Sequence, residues 1–545
     1  MSRRVANRRR NTPPPPKPEP KPVGPAEDRA GPGAGAIAGL ASAAAALAIS
    51  AVAHTLIPSI PFPPVAVAEA VIRGAPGKVD AFFISNFQHL ARPTAVIGTG
   101  VGLLVAGTLL GLLLPRVRRW LGGRTELAAA VLALPLYLVA VLTFRPQPGD
   151  VGRFLYAIVL LPIFGAAVWL GVQAFRRVAR GRVERDTDVA RREVVRAMWI
   201  GGAAFLVGWA NLGRLVFRRP DPGNTALPVR ASISPAVKPS AAPGDASFAR
   251  IPGLSPEITP NRTFYVVNEE IFPPDVDPAT WRLEIGGLVD TPVSLTYREL
   301  TSLPAIEQYM TLECISNRTG GHLISTAKWT GVRLRDLLRR AGVKPGAIEV
   351  VSTSVDGFAD SVPVADAMSP NTIIAYGMNG TMLPRAHGFP ARILVPGYYG
   401  MKQPKWLGSI QIVDQPFNGF WEVRGWIKEA VVRTMSRIDT PKNHSTVDGS
   451  VVVAGVAFAG DRGISRVEVS VDGGQTFADA ELKTALSAFT WRQWKYRFVP
   501  KPGSDTKLVV RATDGRGATQ TSEVTPPEYS GSTGWHGVEV VDESS

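Results

Sequence analysis

Thr311-Leu312-Glu313-Cys314-Ile315-Ser316-Asn317-Arg318-Thr319-Gly320-Gly321 holds the only cysteine among the 545 residues. A strand-like run ends at Glu313, and a polar loop with two glycines follows. A lone cysteine is often a small buried hydrophobe. A soft thiolate is also a good transition-metal ligand, and one suffices when a cofactor brings the other donors. From the residues alone both readings of Cys314 stand. A single cysteine excludes an intramolecular disulfide, a CxxC zinc site, a cysteine-ligated iron–sulfur cluster and CxxCH haem attachment.

Downstream and upstream of this loop the chain reads as globular from 261 to 434. Trp281–Ile285, Ala347–Ser352 and Ile393–Pro396 predict strands. Val332–Ala341 (VRLRDLLRRA) predicts an amphipathic helix stopped by Gly342. This mixture is α+β. From 435 to 545 the period shifts to two: Val467, Val469 and Val471 share a face, Asp472-Gly473 predicts a hairpin turn, and Leu508–Thr513 another strand. Short strands with regular turns predict an immunoglobulin-type β-sandwich.

The N-terminal part is of another kind. Charged residues make up only 19% of the chain, and net charge is +15. Much of the basic excess flanks apolar runs, which points to membrane topology, with no nucleic-acid partner expected. Residues 1–32, with Arg3, Arg4, Arg8, Arg9, Arg10 and Pro13–Pro16, predict a disordered basic tail. Apolar runs near 33–57, 94–114, 126–144, 155–174 and 198–217 predict about five transmembrane helices, each near the ~20 residues that cross the hydrocarbon. Arginine clusters at 116–124 and 176–196 place the N-terminus in the cytoplasm, and five spans put everything after 217 outside it. Arg191-Arg192 before the last run reads either as an internal twin-arginine export signal or as a stop-transfer cluster. Residues 218–260, rich in Pro, Ala and Ser, predict a linker with little helix or strand potential.

Longer stretches carry a resemblance. TLECISN around Cys314, ISTAKWTGVRLRDLL from Ile324, and AYGMNGTMLPRAHGFPARILVPGYYGMKQPKWLGSI from Ala375 to Ile410 resemble the molybdopterin domain of the sulfite oxidase family. WRQWKYRF from Trp491 and TGWHGVEV from Thr533 resemble that family's dimerisation domain, so a homodimer is implied. The resemblance implies a molybdenum-molybdopterin cofactor with Cys314 as the metal's thiolate ligand. It implies that His387, Arg392 and Lys405 hold the pterin and its phosphate, with Asn268, Asp356 and Gln403 as further contacts. An anionic phosphate wants such donors at fixed spacing. It also implies oxygen-atom transfer to or from a small substrate, with electrons passed to a separate cytochrome or membrane carrier. His54 and His89 read as interfacial histidines rather than haem ligands.

The departures bear on substrate. The family's FFVRNH stretch aligns with Phe264–Glu269, so Val267 replaces the anion-facing arginine and Glu269 the histidine. Lys402 and Gln403 stand where Arg and His are usual, and Trp426 replaces the active-site tyrosine. Sulfite would lose much of its charge-assisted binding, although Lys402 or Arg424 could partly compensate. Catalytic roles are therefore expected of Cys314, Lys402 and Trp426. A substrate other than plain sulfite is expected, with reduction of an S-oxide or N-oxide such as methionine sulfoxide as one alternative. A non-catalytic cell-surface binding protein is the other.

Overall fold

The structure is a computed structural model describing residues 27, 30–56, 62–76, 79, 91–143, 152–183, 192, 195–200, 202–203, 206, 221–227, 233–235, 246–268, 273–501, 503 and 505–542. Most of the expected tail, His89, Arg191, Glu269 and most of the expected 198–217 span lie outside the described residues. The chain divides into two compact units.

Four described helices are long and apolar enough to cross a membrane, over Pro32–His54, Thr94–Leu112, Thr125–Thr143 and Tyr156–Arg180. They belong to helices α1 (Pro32–Leu56), α2 (Ala91–Leu112), α3 (Thr125–Thr143) and α4 (Gly152–Val183). Small residues bring α1 close to its neighbours. A Cβ on Gly39 would meet the carbonyl oxygen of Gly107 and lie 2.9 Å from Cα of Gly111. A Cβ on Gly171 would sit 2.9 Å from the Ala38 carbonyl oxygen. Ser42 Oγ donates to the Ala167 carbonyl at 2.9 Å. Glu27, just before α1, pairs with Arg118 at 3.4 Å and Arg176 at 3.1 Å. The start of α1, the α2–α3 connection and the end of α4 therefore meet at one end of the helices.

In the second unit, two sheets close around one core. The first has strand order β1-β4-β5-β8-β10, with β9 on β8. Its strands are β1 (Ile233–Pro235), β4 (Ala305–Glu313), β5 (Ile324–Arg333), β8 (Ile373–Met378), β9 (Thr381–Met382) and β10 (Arg392–Leu394). The second has order β3-β2-β11-β6-β7. It comprises β2 (Arg282–Gly287), β3 (Val293–Thr296), β6 (Glu349–Ser354), β7 (Ala359–Pro363) and β11 (Leu407–Val413). Leu283, Ile306, Trp329, Ile374 and Ile410 fill the space between. Helix α5 (Tyr297–Ser302) starts at a reciprocal Thr296/Glu299 capping box. The predicted amphipathic helix is α6 (Leu334–Ala341), and it ends on Gly342 at φ +70°.

The expected linker is partly built into this domain. Ile233–Pro235 pairs in parallel with β4, Leu227 packs at Gly377, and Asp221 accepts the Arg385 amide at 3.2 Å. Proline-rich composition disfavours helix, but it does not stop a short edge strand from satisfying a neighbouring ladder.

From Met435 two further sheets form, β12-β14-β18-β17 and β13-β20-β19-β15-β16. The strands are β12 (Met435–Thr440), β13 (Ser445–Val447), β14 (Val451–Phe458), β15 (Ile464–Ser470), β16 (Ala478–Asp479), β17 (Glu481–Leu482), β18 (Arg492–Phe498), β19 (Asp505–Asp514) and β20 (His536–Asp542). Val453, Val467, Trp494, Leu508 and Val540 make their shared core. Val471 leaves the predicted apolar face and is 38% exposed. The strand ends at Ser470, whose hydroxyl bonds Asp472 at 2.6 Å and starts the turn early. Ile315, Tyr399, Met401, Trp421 and Trp426 share a cluster with Val456, Phe458 and Trp491, so the two β modules are joined by a common core.

Gly39→Ile should cost about 1–3 kcal/mol by overpacking α1 against α2. Gly102→Ile, with nothing within 4 Å of its Cβ, should be silent. Thermal melting of the full chain in detergent checks both.

Candidate active site

The β4–β5 ladder places the cysteine. Its pairing runs from Ile306↔Gly331 to Glu313↔Ile324 and stops one residue before Cys314. The loop is then closed by its own backbone. Cys314 N–H donates to Leu323 O at 2.9 Å, and Asn317 N–H to Cys314 O at 2.9 Å. Asn317 braces the inside: Nδ2 donates to Glu313 Oε1 and Oδ1 accepts the Leu323 amide, both at 2.9 Å.

Cys314 lies on the wall of a cavity of about 80 Å³ that opens to solvent. Tyr265, Val267, Asp356, His387, Arg392, Gln403, Lys405, Trp421 and Trp426 line it as well. The structure thus brings together at one cavity Cys314, Asp356, His387, Arg392, Gln403, Lys405 and Trp426, which the sequence reading placed far apart in the chain. Asn268 follows the Val267 wall and does not itself line the cavity.

Each side chain has a physical setting. Arg392 is buried, and its guanidinium donates to the carbonyls of His387 at 3.1 Å and Gln403 at 3.2 Å. Burial pushes it down to about 10, still charged at neutral pH. Its Nε has no hydrogen-bond partner among the described residues. Lys405 Nζ donates to the Val267 carbonyl at 2.9 Å. Gln403 spends its amide on backbone, donating to Tyr398 O at 2.9 Å. Asp356 caps the β6–β7 turn by accepting the Phe358 amide at 3.1 Å.

His387 is an uncharged donor. Burial pushes it down to about 4, so it is neutral. Its Nε2 lies 2.9 Å from the Asn261 carbonyl, which requires the proton on Nε2. That donor is already engaged.

Lys402 departs from expectation. It does not line the cavity. It is buried behind the wall, its Nζ 2.8 Å from Asp360 and paired with Glu422, both of them buried carboxylates. Burial raises Asp360 to about 7 against the pull of Lys402. The ion pairs hold the Gly400–Lys402 turn to the Glu422–Arg424 turn, so Lys402 braces the wall. Arg424 likewise lies off the cavity, 3.7 Å over the Phe420 ring. Tyr265 and Trp421 were not singled out from sequence. Tyr265 sits in the aligned Phe264–Glu269 run, whereas Trp421 offered no motif.

The outer side of the Cys314 loop is gripped by the C-terminal module. Arg437 Nη1 donates to Gly321 O at 2.5 Å, Ser532 Oγ to Asn317 O at 2.7 Å, and Thr319 Oγ1 to Thr533 O at 2.9 Å. Gly320, at φ +75°, lies where only a missing Cβ clears the His536 ring. His536 Nδ1 in turn accepts the Ile438 amide at 3.0 Å. No sequence pattern links residues this far apart.

A thiol wall, a buried guanidinium and an ammonium on an α+β scaffold, joined to a second β module, define a cofactor-binding oxidoreductase. The comparisons agree. Residues 270–421 match the oxidoreductase molybdopterin binding domain, and residues 425–541 match the Mo-co oxidoreductase dimerisation domain. The mitochondrial sulfite oxidase of Rattus norvegicus is 32% identical over 49% of this chain and 58% of its own length. The sulfite oxidase of Gallus gallus is 31% identical over 49% of this chain and 69% of its own length. The nitrate reductase [NAD(P)H] of Hordeum vulgare is 33% identical over 42% of this chain and 32% of its own length. The chain thus spans little more than half the length of the first of these relatives. It belongs to the sulfite oxidase family of molybdenum-dependent, molybdopterin-binding oxidoreductases.

The residues present fit that cofactor. Cys314 offers a soft donor at the cavity wall, and Arg392 has an unspent Nε among the described residues. Gly388, at φ +115°, keeps a cradle open that a Cβ would fill at 3.1 Å from both Arg392 and Lys405.

Two predictions follow from this geometry. Lys402→Met leaves Asp360 and Glu422 buried without their cation and should destabilise the protein by about 3–5 kcal/mol, measured by denaturant unfolding. His536 is pushed down to about 4 by burial. The folded state favours neutral imidazole, so this contribution is complete above pH 6.5 and is lost as pH falls towards 4. His536→Asn, which keeps an acceptor for Ile438, should flatten that loss by up to about 1.4 kcal/mol per pH unit, seen as a shallower fall of Tm on acidification.

Proposed function

We propose that this chain is a membrane-anchored molybdenum oxidoreductase that moves an oxygen atom to or from a small uncharged substrate. The site lies outside the cytoplasm. When bound, the cofactor supplies the two-electron oxygen-atom exchange. Cys314 would ligate the metal, and Arg392, Lys405, His387, Gln403 and Asp356 would hold the pterin. In the reducing direction an oxide takes up two electrons and two protons and leaves as the reduced compound and water. Electrons come from a separate cytochrome or membrane carrier, and the immunoglobulin-like module makes a homodimer.

The observation that carries the substrate reading is the state of the cations. Val267 lines the cavity where an anion-facing arginine is usual. Lys405 is bonded to backbone, and Lys402 is neutralised behind the wall. The wall also carries Ile315, Phe358, Met401, Trp421 and Trp426, with Tyr265, Ser316 and Ser354 as its uncharged polar groups. Trp426 Nε1 is buried without a hydrogen-bond partner among the described residues. An indole N–H can only donate, which suits the oxygen of an S-oxide or N-oxide. The bilayer reading is supported by the four apolar helices and the arginines gathered around Glu27.

Purified full-length protein should hold about one molybdenum per chain, and Cys314→Ser should lose turnover while retaining the pterin. Methyl sulfoxides and amine N-oxides should exceed sulfite in kcat/KM by about a hundredfold or more, since two charge-assisted contacts at about 1.5–3 kcal/mol each are missing for an anion. Faster turnover of sulfite would sink this substrate reading. An alkaline phosphatase fusion after Asp221 should be active outside the cytoplasm. An inactive fusion would mean that the 198–217 run does not cross, because four crossings return the chain to the side of its N-terminus.

A further inference from the structure

We infer that the C-terminal β module is part of the active-site scaffold, and that Arg437 is a positioning residue for the cysteine loop. The inference rests on the reading of Cys314 as the metal's ligand only for its consequence, not for its geometry.

The loop from Cys314 to Leu323 has an inner and an outer face. Asn317 braces the inner face within the loop itself. The outer face is bonded by another module. Arg437 is 2% exposed and meets three segments at once. Its Nε pairs with Asp439 at 2.6 Å, two residues on and on the same strand face. Its Nη2 donates to Ser255 Oγ at 2.8 Å, and its Nη1 to Gly321 O at 2.5 Å. Asp439 closes the ring by accepting the Ser255 amide at 3.0 Å. Guanidinium is rigid and presents its donors in a fixed fork, so these three contacts fix one another's geometry. Ser532 and Thr533 add bonds at Asn317 and Thr319. The strand that delivers the cysteine is held in the same way. Thr311 N–H donates to Phe489 O at 2.9 Å, and Ser487 Oγ donates to Tyr309 O at 2.7 Å.

A module serving only to dimerise would have no need of these bonds. Their placement means that the angle at which Cys314 presents its sulfur depends on residues more than a hundred positions away. A metal–thiolate bond is sensitive to such orientation by the surrounding shell.

The single cysteine makes the test clean. Full-length protein is prepared without cofactor, and native-state alkylation of Cys314 by iodoacetamide is timed alongside hydrogen exchange of the loop amides. Arg437→Lys keeps the charge beside Asp439 but loses the fork. Ser532→Ala removes one outer bond and nothing else. Each should raise alkylation and loop exchange about tenfold, the worth of one hydrogen bond. Exchange in β14 and β18 should stay as in the wild type. In cofactor-loaded protein the same variants should hold full molybdenum but give a broadened Mo(V) paramagnetic signal. Unchanged alkylation in both variants overturns the inference. A rise spread evenly over the C-terminal module overturns it too, since that is only loss of stability. Wild-type protein without molybdenum would sink the ligand reading of Cys314 while leaving the loop result to be judged by the cofactor-free measurements.

Discussion

Cys314 is held at the cavity wall by backbone bonds on either side of it. The β4–β5 ladder supplies these. Registered pairs run along both strands to Glu313↔Ile324, and the Cys314–Leu323 bond continues the ladder by one step. The loop then has little freedom to swing, because Asn317 holds both its ends. Arg392, Lys405 and the aromatic residues Trp421 and Trp426 line the same cavity as Cys314, and the second module bonds its loop.

Charge is the next constraint. The cavity wall and the layer behind it contain arginine, lysines and carboxylates, most of them buried, and a buried charge is tolerated only with partners. The chain meets this in two ways. Arg392 and Lys405 line the cavity with their donors turned onto carbonyl oxygens. Lys402 is set behind the wall between two carboxylates, where its charge does not reach a substrate. The first arrangement suits a fixed anionic cofactor, and the second gives rigidity between two turns.

Much of this was legible in the sequence. Four of the five apolar runs, the amphipathic helix before Gly342, the period-two strands and the order of the motifs around Cys314 appear where local pattern and local structure share a cause. The misreadings have physical reasons. Ile233–Pro235 becomes a strand because β4 leaves an edge to pair with, a tertiary fact that no local propensity contains. Lys402 sits beside cavity-lining Met401 and Gln403 in the chain, but a tight turn sends its side chain the other way. The grip on the Cys314 loop by Arg437, Ser532 and Thr533 was invisible, because hydrogen bonds to backbone carbonyls require nothing of the residue identities they meet.

Two histidines, His387 buried and His536 half-buried, show how the site keeps its charge steady. His387 donates from Nε2 to Asn261 O, and His536 accepts at Nδ1 from Ile438 N–H. These are opposite roles, and each is available to neutral imidazole. Burial, aided by Arg392 and Lys405 at one and Arg437 at the other, holds both well below neutrality. Neither can then titrate near pH 7. The carboxyls move the opposite way: burial raises Glu313 to about 8, against the pull of its bond from Asn317. A neutral Glu313 adds no negative charge next to the sulfur it precedes. Within this shell the groups that change charge near neutrality are therefore acids, Glu313 beside the sulfur and Asp360 behind the wall, and not the histidines that the motif order draws attention to.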